Sequence, residues 1–399
     1  MENEKKTWMR KRHRPVRNIA YAVLYPYTKL KYGITIEKFK AQGDRAYLIL
    51  MNHQTAFDQF FVGMTFSGPV YYVASEDLFS NGWISSLLSW LVAPIPIKKQ
   101  TSDIGAVKNC IRVAREGGTI AIAPEGNRTY SGRTGYMNPA IAALAKLIKL
   151  PIAFLRIEGG YGVQPRWSDA VRKGRMRAYV SRVMEPEEIA GLTKQQLMEI
   201  IKAELMVDEG VAHAKFKSGV RAEYLERAMY VCPWCGLSEF ESEGSFIECK
   251  KCRRKLEYCE DKRLRGVGFE FPFEFVTGWY AYQEDFVNRL ELSDYLNEPM
   301  YRDRAALSEV IVYERKQRLK KEASVSLYGD RIAVDELIMP FAEITGISVL
   351  GRNKLNIYYG DKLYQLKGGK RFNALKYVNM YYRSKNTGRG EENGKFLGL

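Results

Sequence analysis

One pair of side chains in this sequence has the types and spacing of a proton-transfer site. His53 and Asp58 lie in the run Asn52-His53-Gln54-Thr55-Ala56-Phe57-Asp58. A neutral imidazole accepts a proton near pH 7, and a carboxylate on its other nitrogen fixes the tautomer and stabilises the imidazolium that forms. The remaining histidines, His13 in a basic tail and His213 far downstream, offer no rival base nearby. The spacing imposes a condition. Residues five apart on a regular helix diverge by roughly 140°, so the two meet only with His53 on a loop and Asp58 in the first turn of a helix, Thr55 serving as N-cap. The same residues satisfy a second reading, a capping box ahead of Phe60-Phe61-Val62 in which Asp58 reaches back to backbone.

A second candidate is Pro124-Glu125-Gly126-Asn127-Arg128-Thr129, directly after an apolar run at 119–123. Gly126 permits close backbone approach, and Arg128 offers a planar fork for a phosphate. A polar turn ending in a surface arginine reads equally well.

The elements that must carry these loops follow from the apolar pattern. Strands are predicted at 46–51, 70–74, 119–123, 152–157 and 176–181, with helices at 103–116, 139–150 and 194–207 between and after them. That alternation predicts an α/β fold with a mostly parallel sheet flanked by helices. In such sheets ligands bind beyond the carboxyl ends of the strands, where Asn52-His53 and Glu125 both fall. The stretch 78–92, with Trp83, Leu87, Leu88 and Trp90, predicts either a buried helix or a membrane-facing one. Seven Lys or Arg stand in the first seventeen residues, ahead of a Tyr- and aliphatic-rich segment at 18–34 edged by Lys29 and Lys31. This suits a helix lying in a bilayer interface, and also a solvated tail followed by a core helix.

His53-x4-Asp58, the Glu125–Arg128 loop and Leu150-Pro151-Ile152, in this order and at these intervals, together resemble the motif set of the glycerolipid (1-acyl-sn-glycerol-3-phosphate) acyltransferase family. The resemblance covers roughly residues 15–205. It implies transfer of an acyl group from acyl-CoA or acyl carrier protein to the free hydroxyl of a lysophosphatidate-like acceptor, in phospholipid biosynthesis. His53 would be the general base and Asp58 its orienting partner. Glu125, Gly126, Asn127 and Arg128 would form the acceptor site. The family's intermediate motif places a basic residue after a short apolar strand, here Lys98 after Ile95-Pro96-Ile97; a solvated surface pair, Lys98-Lys99, is the alternative. Asn127 stands where the family commonly has Thr, and Met137-Asn138-Pro139 where it has a Phe-Lys pair. Another lyso-lipid or hydroxyl acceptor, or a catalytically silent membrane scaffold, remains an alternative.

Past residue 228 the pattern changes. Cys232-Pro233-Trp234-Cys235 and Cys249-Lys250-Lys251-Cys252 stand thirteen residues apart, the spacing of a zinc ribbon with a closed tetrahedral thiolate shell. Structural zinc is therefore expected, with Cys259 as a possible substitute for Cys252 and a redox pair as the alternative. The basic run Lys250, Lys251, Arg253, Arg254, Lys255 is mixed with Glu241, Glu243 and Glu248, so nucleic acid is not the expected partner. Further on, strands near 324–327, 344–350, 355–359 and 362–366 precede a helix at 371–383. That order is similar to part of a pleckstrin-homology-like barrel. Arg352, Lys354, Lys362, Lys367, Lys370 and Arg371 would there face anionic lipid or simply solvent. The organisation expected is an acyltransferase domain at 1–215, a zinc ribbon at 228–262, a C-terminal α+β domain at 263–385 and a flexible tail at 386–399.

The bulk composition agrees with a partner of negative charge. The 62 Lys and Arg against 46 Asp and Glu leave +16 over 399 residues, which favours an anionic membrane face, a phosphorylated substrate or nucleic acid. No apolar run reaches the ~18 residues of a spanning helix, and no signal peptide is evident. The expected location is peripheral, on the cytoplasmic face of the cell membrane, with the cysteines reduced.

Overall fold

The computed structural model describes residues 7–97, 103–212, 214–311, 314–391 and 394–396. These divide into two compact units. The first comprises the chain up to Arg128 with Thr134–Val163 and Gly174–Asp208; the second comprises Thr129–Arg133, Gln164–Lys173 and the chain from Glu209.

In the first unit, helix α1 (His13–Tyr32) leads into β1 (Ile34–Ile36), β2 (Leu48–Met51), α2 (Asp58–Thr65), β3 (Val70–Ser75), α3 (Trp83–Val92) and β4 (Ile95–Ile97). Then come α4 (Ile104–Arg115), β5 (Thr119–Ile122), α5 (Ala140–Ile148), β6 (Ile152–Glu158), the single turn α6 (Gly160–Val163), β7 (Met176–Met184), α7 (Pro186–Gly191) and α8 (Lys194–Leu205). Local chemistry sets the boundaries. Asp103 caps α4 by accepting from Ala106 N at 3.0 Å. Thr193 and Gln196 form a reciprocal capping box on α8.

The seven strands lie in the order β1-β7-β6-β2-β5-β3-β4. The five from β6 to β4 are parallel, while β7 pairs antiparallel with β6 and carries β1 parallel to itself. All four residues of β2, Leu-Ile-Leu-Met, are buried, as a central strand covered on both faces requires. Leu48, Leu50, Ile120, Ile152 and Phe154 join Cys110 and Val113 of α4 and Ala142 and Ala145 of α5 in one core. The expected mostly parallel α/β sheet is thus present.

Helix α3 is not a buried helix. Trp83 is 74% exposed, and Ile84, Leu87 and Trp90 are exposed with it. The apolar run at 78–92 was compatible with a core, but only Ser85 of the helix is buried.

In the second unit, β8 (Val231–Cys232) pairs with β9 (Gly236–Leu237), and β10 (Phe240–Glu243), β11 (Phe246–Cys249), β12 (Lys255–Tyr258) and β13 (Leu264–Gly266) form an antiparallel sheet in chain order. After α9 (Val276–Asn288) come β14 (Tyr301–Ile311), β15 (Arg315–Leu327), β16 (Arg331–Val334), β17 (Leu337–Pro340), β18 (Ile344–Leu350), β19 (Lys354–Tyr359) and β20 (Lys362–Gly368). They make one antiparallel sheet in the order β17-β16-β15-β14-β20-β19-β18, followed by α10 (Leu375–Thr387). The sequence separates a cysteine module at 228–262 from a domain at 263–385, yet both draw on a single core. Cys232, Cys249 and Leu256 share it with Trp279, Val325, Leu355 and Tyr377. The segment 386–399, expected as a flexible tail, is in part structured: α10 runs to Thr387, and Phe396 is buried in that core.

Candidate active site

His53 and Asp58 sit in the loop that leaves the carboxyl end of β2. Asp58 is the first residue of α2 and His53 precedes the helix, as the five-residue spacing demands. His53 Nδ1 lies 2.8 Å from Asp58 Oδ2. Because the carboxylate only accepts, Nδ1 carries the proton and Nε2 is left with a lone pair. The imidazole is 24% exposed, while the Asp58 side chain is fully buried.

Asp58 also serves backbone. It accepts from Gln54 N at 2.6 Å, from Thr55 N at 3.0 Å and from Thr55 Oγ1 at 2.6 Å. The two roles open at the sequence level, orienting His53 and tying down the loop, are therefore held by one carboxylate. Thr55 is not the N-cap. Phe57 occupies that position without a side-chain bond, and Thr55 Oγ1 instead accepts from Phe57 N at 3.1 Å.

Strand β5 brings the second loop alongside. In the parallel pairing Leu50 stands opposite Ile122, so His53 and Glu125, each three residues further, reach the same level. Glu125 Oε1 accepts from His53 N and Oε2 from Gly135 N, both at 2.9 Å. Burial pushes the Glu125 carboxyl up to about 7, against the pull of those two N–H groups and with help from the Asp58 charge. Glu125, expected in the acceptor site, thus commits both oxygens to backbone N–H groups. Gly126 adopts φ +68°, and a Cβ there would meet no atom within 4 Å; the turn needs glycine for its left-handed backbone and not for close approach. Asn127 and Arg128 follow, both half-buried, on the same loop. Lys98, with Lys99, lies outside the described residues.

A third strand closes the frame. Asn52 clamps the end of β6, donating from Nδ2 to Ile157 O and accepting at Oδ1 from Ile157 N, both at 2.8 Å. Gln54 Oε1 accepts from Tyr161 N at 3.1 Å. A Cβ on Gly160 would fall 2.5 Å from Gln54 Cβ and 3.1 Å from Thr55 Cγ2, so only glycine lets the end of β6 approach the His53–Asp58 loop. Sequence reasoning gave no role to Asn52, Gln54, Gly135 or Gly160; the Gly159-Gly160 doublet at a strand end was the available signal. Leu150-Pro151-Ile152 enters β6 beside Leu48, at the opposite end of the strands.

The four expected cysteines converge in the second unit. The Sγ atoms of Cys232, Cys235, Cys249 and Cys252 all lie within 4.8 Å of one another, and those of Cys232 and Cys252 are 3.8 Å apart. That is too far for a disulfide, and it matches the edge of about 3.8 Å that four Zn–S bonds of ~2.3 Å give a tetrahedron. Cys259 is buried outside the group. Around it the basic run finds local partners: Lys250 pairs with Glu239, Arg253 with Glu248, and Arg254 stacks on Trp234. In the C-terminal sheet Arg352, Lys362 and Arg371 pair with Asp169, Glu309 and Glu226.

The acyltransferase family profile matches residues 34–157, the span holding both loops. The 1-acyl-sn-glycerol-3-phosphate acyltransferase of Bacillus subtilis (strain 168) is 23% identical over 177 residues, covering 44% of this chain and 85% of the relative. The crystal structure of the 1-acyl-sn-glycerophosphate acyltransferase of Thermotoga maritima superposes with a TM-score of 0.39 at 17% identity, over 49% of this chain and 81% of that one. Residues 34–157 of the first unit thus carry an acyltransferase domain similar to that of the 1-acyl-sn-glycerol-3-phosphate acyltransferases.

Proposed function

We propose that the first unit transfers an acyl group from a thioester of coenzyme A or acyl carrier protein to the free hydroxyl of a lysophosphatidate-like glycerophospholipid, as a step of phospholipid biosynthesis. The observation that carries this is the His53 Nδ1–Asp58 contact of 2.8 Å beside the Glu125–Arg128 loop. Nε2 of His53 takes the hydroxyl proton as the oxygen attacks the thioester carbonyl carbon. The tetrahedral adduct collapses with cleavage of the C–S bond, and the imidazolium returns the proton to the leaving thiolate. Asp58 holds the ring and stabilises its charged form. Arg128 takes the acceptor's phosphate through its planar fork, with Gly126 and Asn127 framing the loop and Lys98 as a second cation.

The membrane side of this reading is supported by α1 and α3. Ile19, Val23 and Leu30 of α1 and Trp83, Leu87 and Trp90 of α3 are exposed. Arg12 links the helices, donating to Trp90 O at 2.8 Å and stacking on its ring. No described helix is long and apolar enough to cross a membrane. A basic, aromatic-edged apolar surface of this kind suits peripheral seating on an anionic bilayer, at the cytoplasmic face. In the second unit the four cysteines are assigned a structural zinc ion, whose closed thiolate shell leaves no position for chemistry. Seven antiparallel strands closed by one helix, at 301–387, support a pleckstrin-homology-like reading of its C-terminal part.

The test is acyl transfer by the purified chain, with acyl-CoA and acyl carrier protein donors and a panel of phosphorylated and unphosphorylated acceptors. Transfer to lysophosphatidate that His53→Ala abolishes is the expected result. Transfer only to acceptors without phosphate would overturn the acceptor class, and transfer to none would overturn the enzymatic assignment to this chain.

A further inference from the structure

Helix α1 does more than present an apolar face to solvent. Its inner side grips α2 along its whole length. At the carboxyl end, Arg17 Nη2 donates to Gly63 O at 2.8 Å and to Phe66 O at 2.6 Å, occupying carbonyls that the end of a short helix leaves without partners. Near the same end Thr28 Oγ1 meets Met64 Sδ at 3.5 Å, and in the middle Tyr32 stands edge-on to Phe61. At the amino end Tyr32 packs on Phe57 with ring centroids 5.2 Å apart, and the Lys31 ammonium lies 5.5 Å from the same ring. Phe57 is the residue before Asp58, and α2 begins on Asp58 itself.

We propose that α1 positions the catalytic pair, with Arg17 as the positioning residue. By anchoring the far end of the helix that starts at Asp58, its guanidinium keeps the carboxylate seated against His53 Nδ1 and the Gln54 and Thr55 amides. Nη2 is suited to this, because its two N–H groups, fixed in the guanidinium plane, reach two carbonyls that diverge at the helix end. Burial also pushes the Arg17 pKa down, so the group is held there against a desolvation cost. Residues Ile19, Val23 and Leu30 stand exposed on the same helix. One rigid element therefore sets both the surface on which the protein rests and the geometry of its base. The kinetic consequence rests on the acyl-transfer reading; the positioning itself does not.

The test compares full-length wild type, Arg17→Met and Arg17→Lys by hydrogen exchange and by acyl-transfer kinetics on the same preparations. In Arg17→Met the Gln54 and Thr55 amides should exchange at least about tenfold faster while those of Leu48–Met51 stay protected, since only local opening changes. The value of kcat should fall at least tenfold with KM within about twofold. Arg17→Lys, a shorter ammonium without that fixed planar pair of N–H groups, should recover part of both. Unchanged exchange at Gln54 and Thr55 overturns the proposal. So does a uniform rise across β2 and α2 with a matching loss in melting temperature, which marks general destabilisation. Should Arg17→Met not fold, Arg17→Lys decides: exchange identical to wild type at both amides overturns the proposal, and selective acceleration supports it. If wild type transfers no acyl group, the function falls while the exchange result still decides the role of Arg17.

Discussion

Glu125 accepts a hydrogen bond from the backbone N–H of His53 at 2.9 Å, so the second sequence loop holds the residue that the first offers as base. With its other oxygen on Gly135 N, ten residues on in its own loop, the carboxylate ties that loop to the His53 segment 72 residues away. In Glu125→Gln the amide can accept at one oxygen only and turns an N–H toward the other donor. Transfer should fall roughly ten- to a hundredfold, as expected for loss of one or two charge-assisted bonds. Acceptor KM, the quantity a phosphate ligand would control, should move little. The measurement is steady-state kinetics against acceptor concentration.

The same carboxyl gives a pH prediction. Its pKa is about 7 in the fold against 4.5 for the free group. A raised value means that the folded state binds the proton more tightly, so the contribution to stability is present below pH 4.5 and is lost as pH rises through 7. Wild type should therefore lose stability relative to Glu125→Gln between pH 5 and 8, by at most about 3 kcal/mol. Parallel denaturant titrations of the two proteins check this, and a gap that widens in favour of wild type with pH would contradict it.

His53 and Asp58 should separate under mutation, because Asp58 has two duties and His53 one. His53→Ala should cost a factor of about 10² to 10⁴ in kcat and leave stability within about 1 kcal/mol. Asp58→Asn should lose activity to a similar or greater degree through the wrong tautomer. It should also destabilise by about 1–3 kcal/mol, because its buried donors lose a charged acceptor. Unfolding curves of the two variants distinguish these outcomes.

How far such a site can be read in advance depends on which interactions are local. β2, β5 and β6 were legible as short apolar runs because a strand covered on both faces needs continuous burial. The His53–Asp58 geometry was legible because five residues bridge it. The Glu125–His53 bond was not, since it depends on β5 lying beside β2, a tertiary choice among several parallel strands. Most of β15 was missed for a different reason. Residues 315–322 carry Arg315, Lys316, Arg318, Lys320 and Lys321 and are almost wholly exposed, so this part of the strand shows no apolar alternation to detect. Conversely the run at 78–92 is apolar enough for a core, and hydropathy alone cannot tell a core helix from one with an exposed apolar face.

Gly160 is expected to be irreplaceable for steric reasons. In Gly160→Ala the new methyl would press on Gln54 Cβ at 2.5 Å, inside any real contact distance. Either β6 or the His53–Asp58 loop must shift, at a cost of about 1–3 kcal/mol. Since Gln54 N is a donor to Asp58, the shift should reach the dyad and lower kcat more than the loss of stability explains. An alanine variant with wild-type kcat would show that the loop tolerates displacement.

The exposed faces of α1 and α3 should govern membrane partition. Leu30 is 87% exposed and Trp83 74%, and each is worth about 1.5–3 kcal/mol when moved out of water. The double variant Leu30→Ser, Trp83→Ser should therefore bind anionic vesicles at least tenfold more weakly in a sedimentation assay, with an unchanged melting temperature because neither side chain packs in the core. Raising salt should weaken wild type as well, through Arg12, Arg14, Lys29 and Lys31, at about 1 kcal/mol for each cation near the surface. Equal partition of variant and wild type would place the bilayer contact elsewhere on the chain.

The cysteine cluster gives the last expectation. A ZnS₄ centre supports local structure outright, and its four sulfurs share a core with Leu256, Trp279 and Val325. Elemental analysis should find about one zinc per chain, lost in Cys249→Ser. Removal by a chelator should lower the unfolding transition of the second unit by several degrees or more. The chemistry should survive, because thiolates fill every coordination position and the metal is remote in role from His53. Turnover measured below the new transition is then expected to match the metal-replete enzyme. A chelator that stops transfer while the protein stays folded would instead assign the ion a part in catalysis or substrate binding.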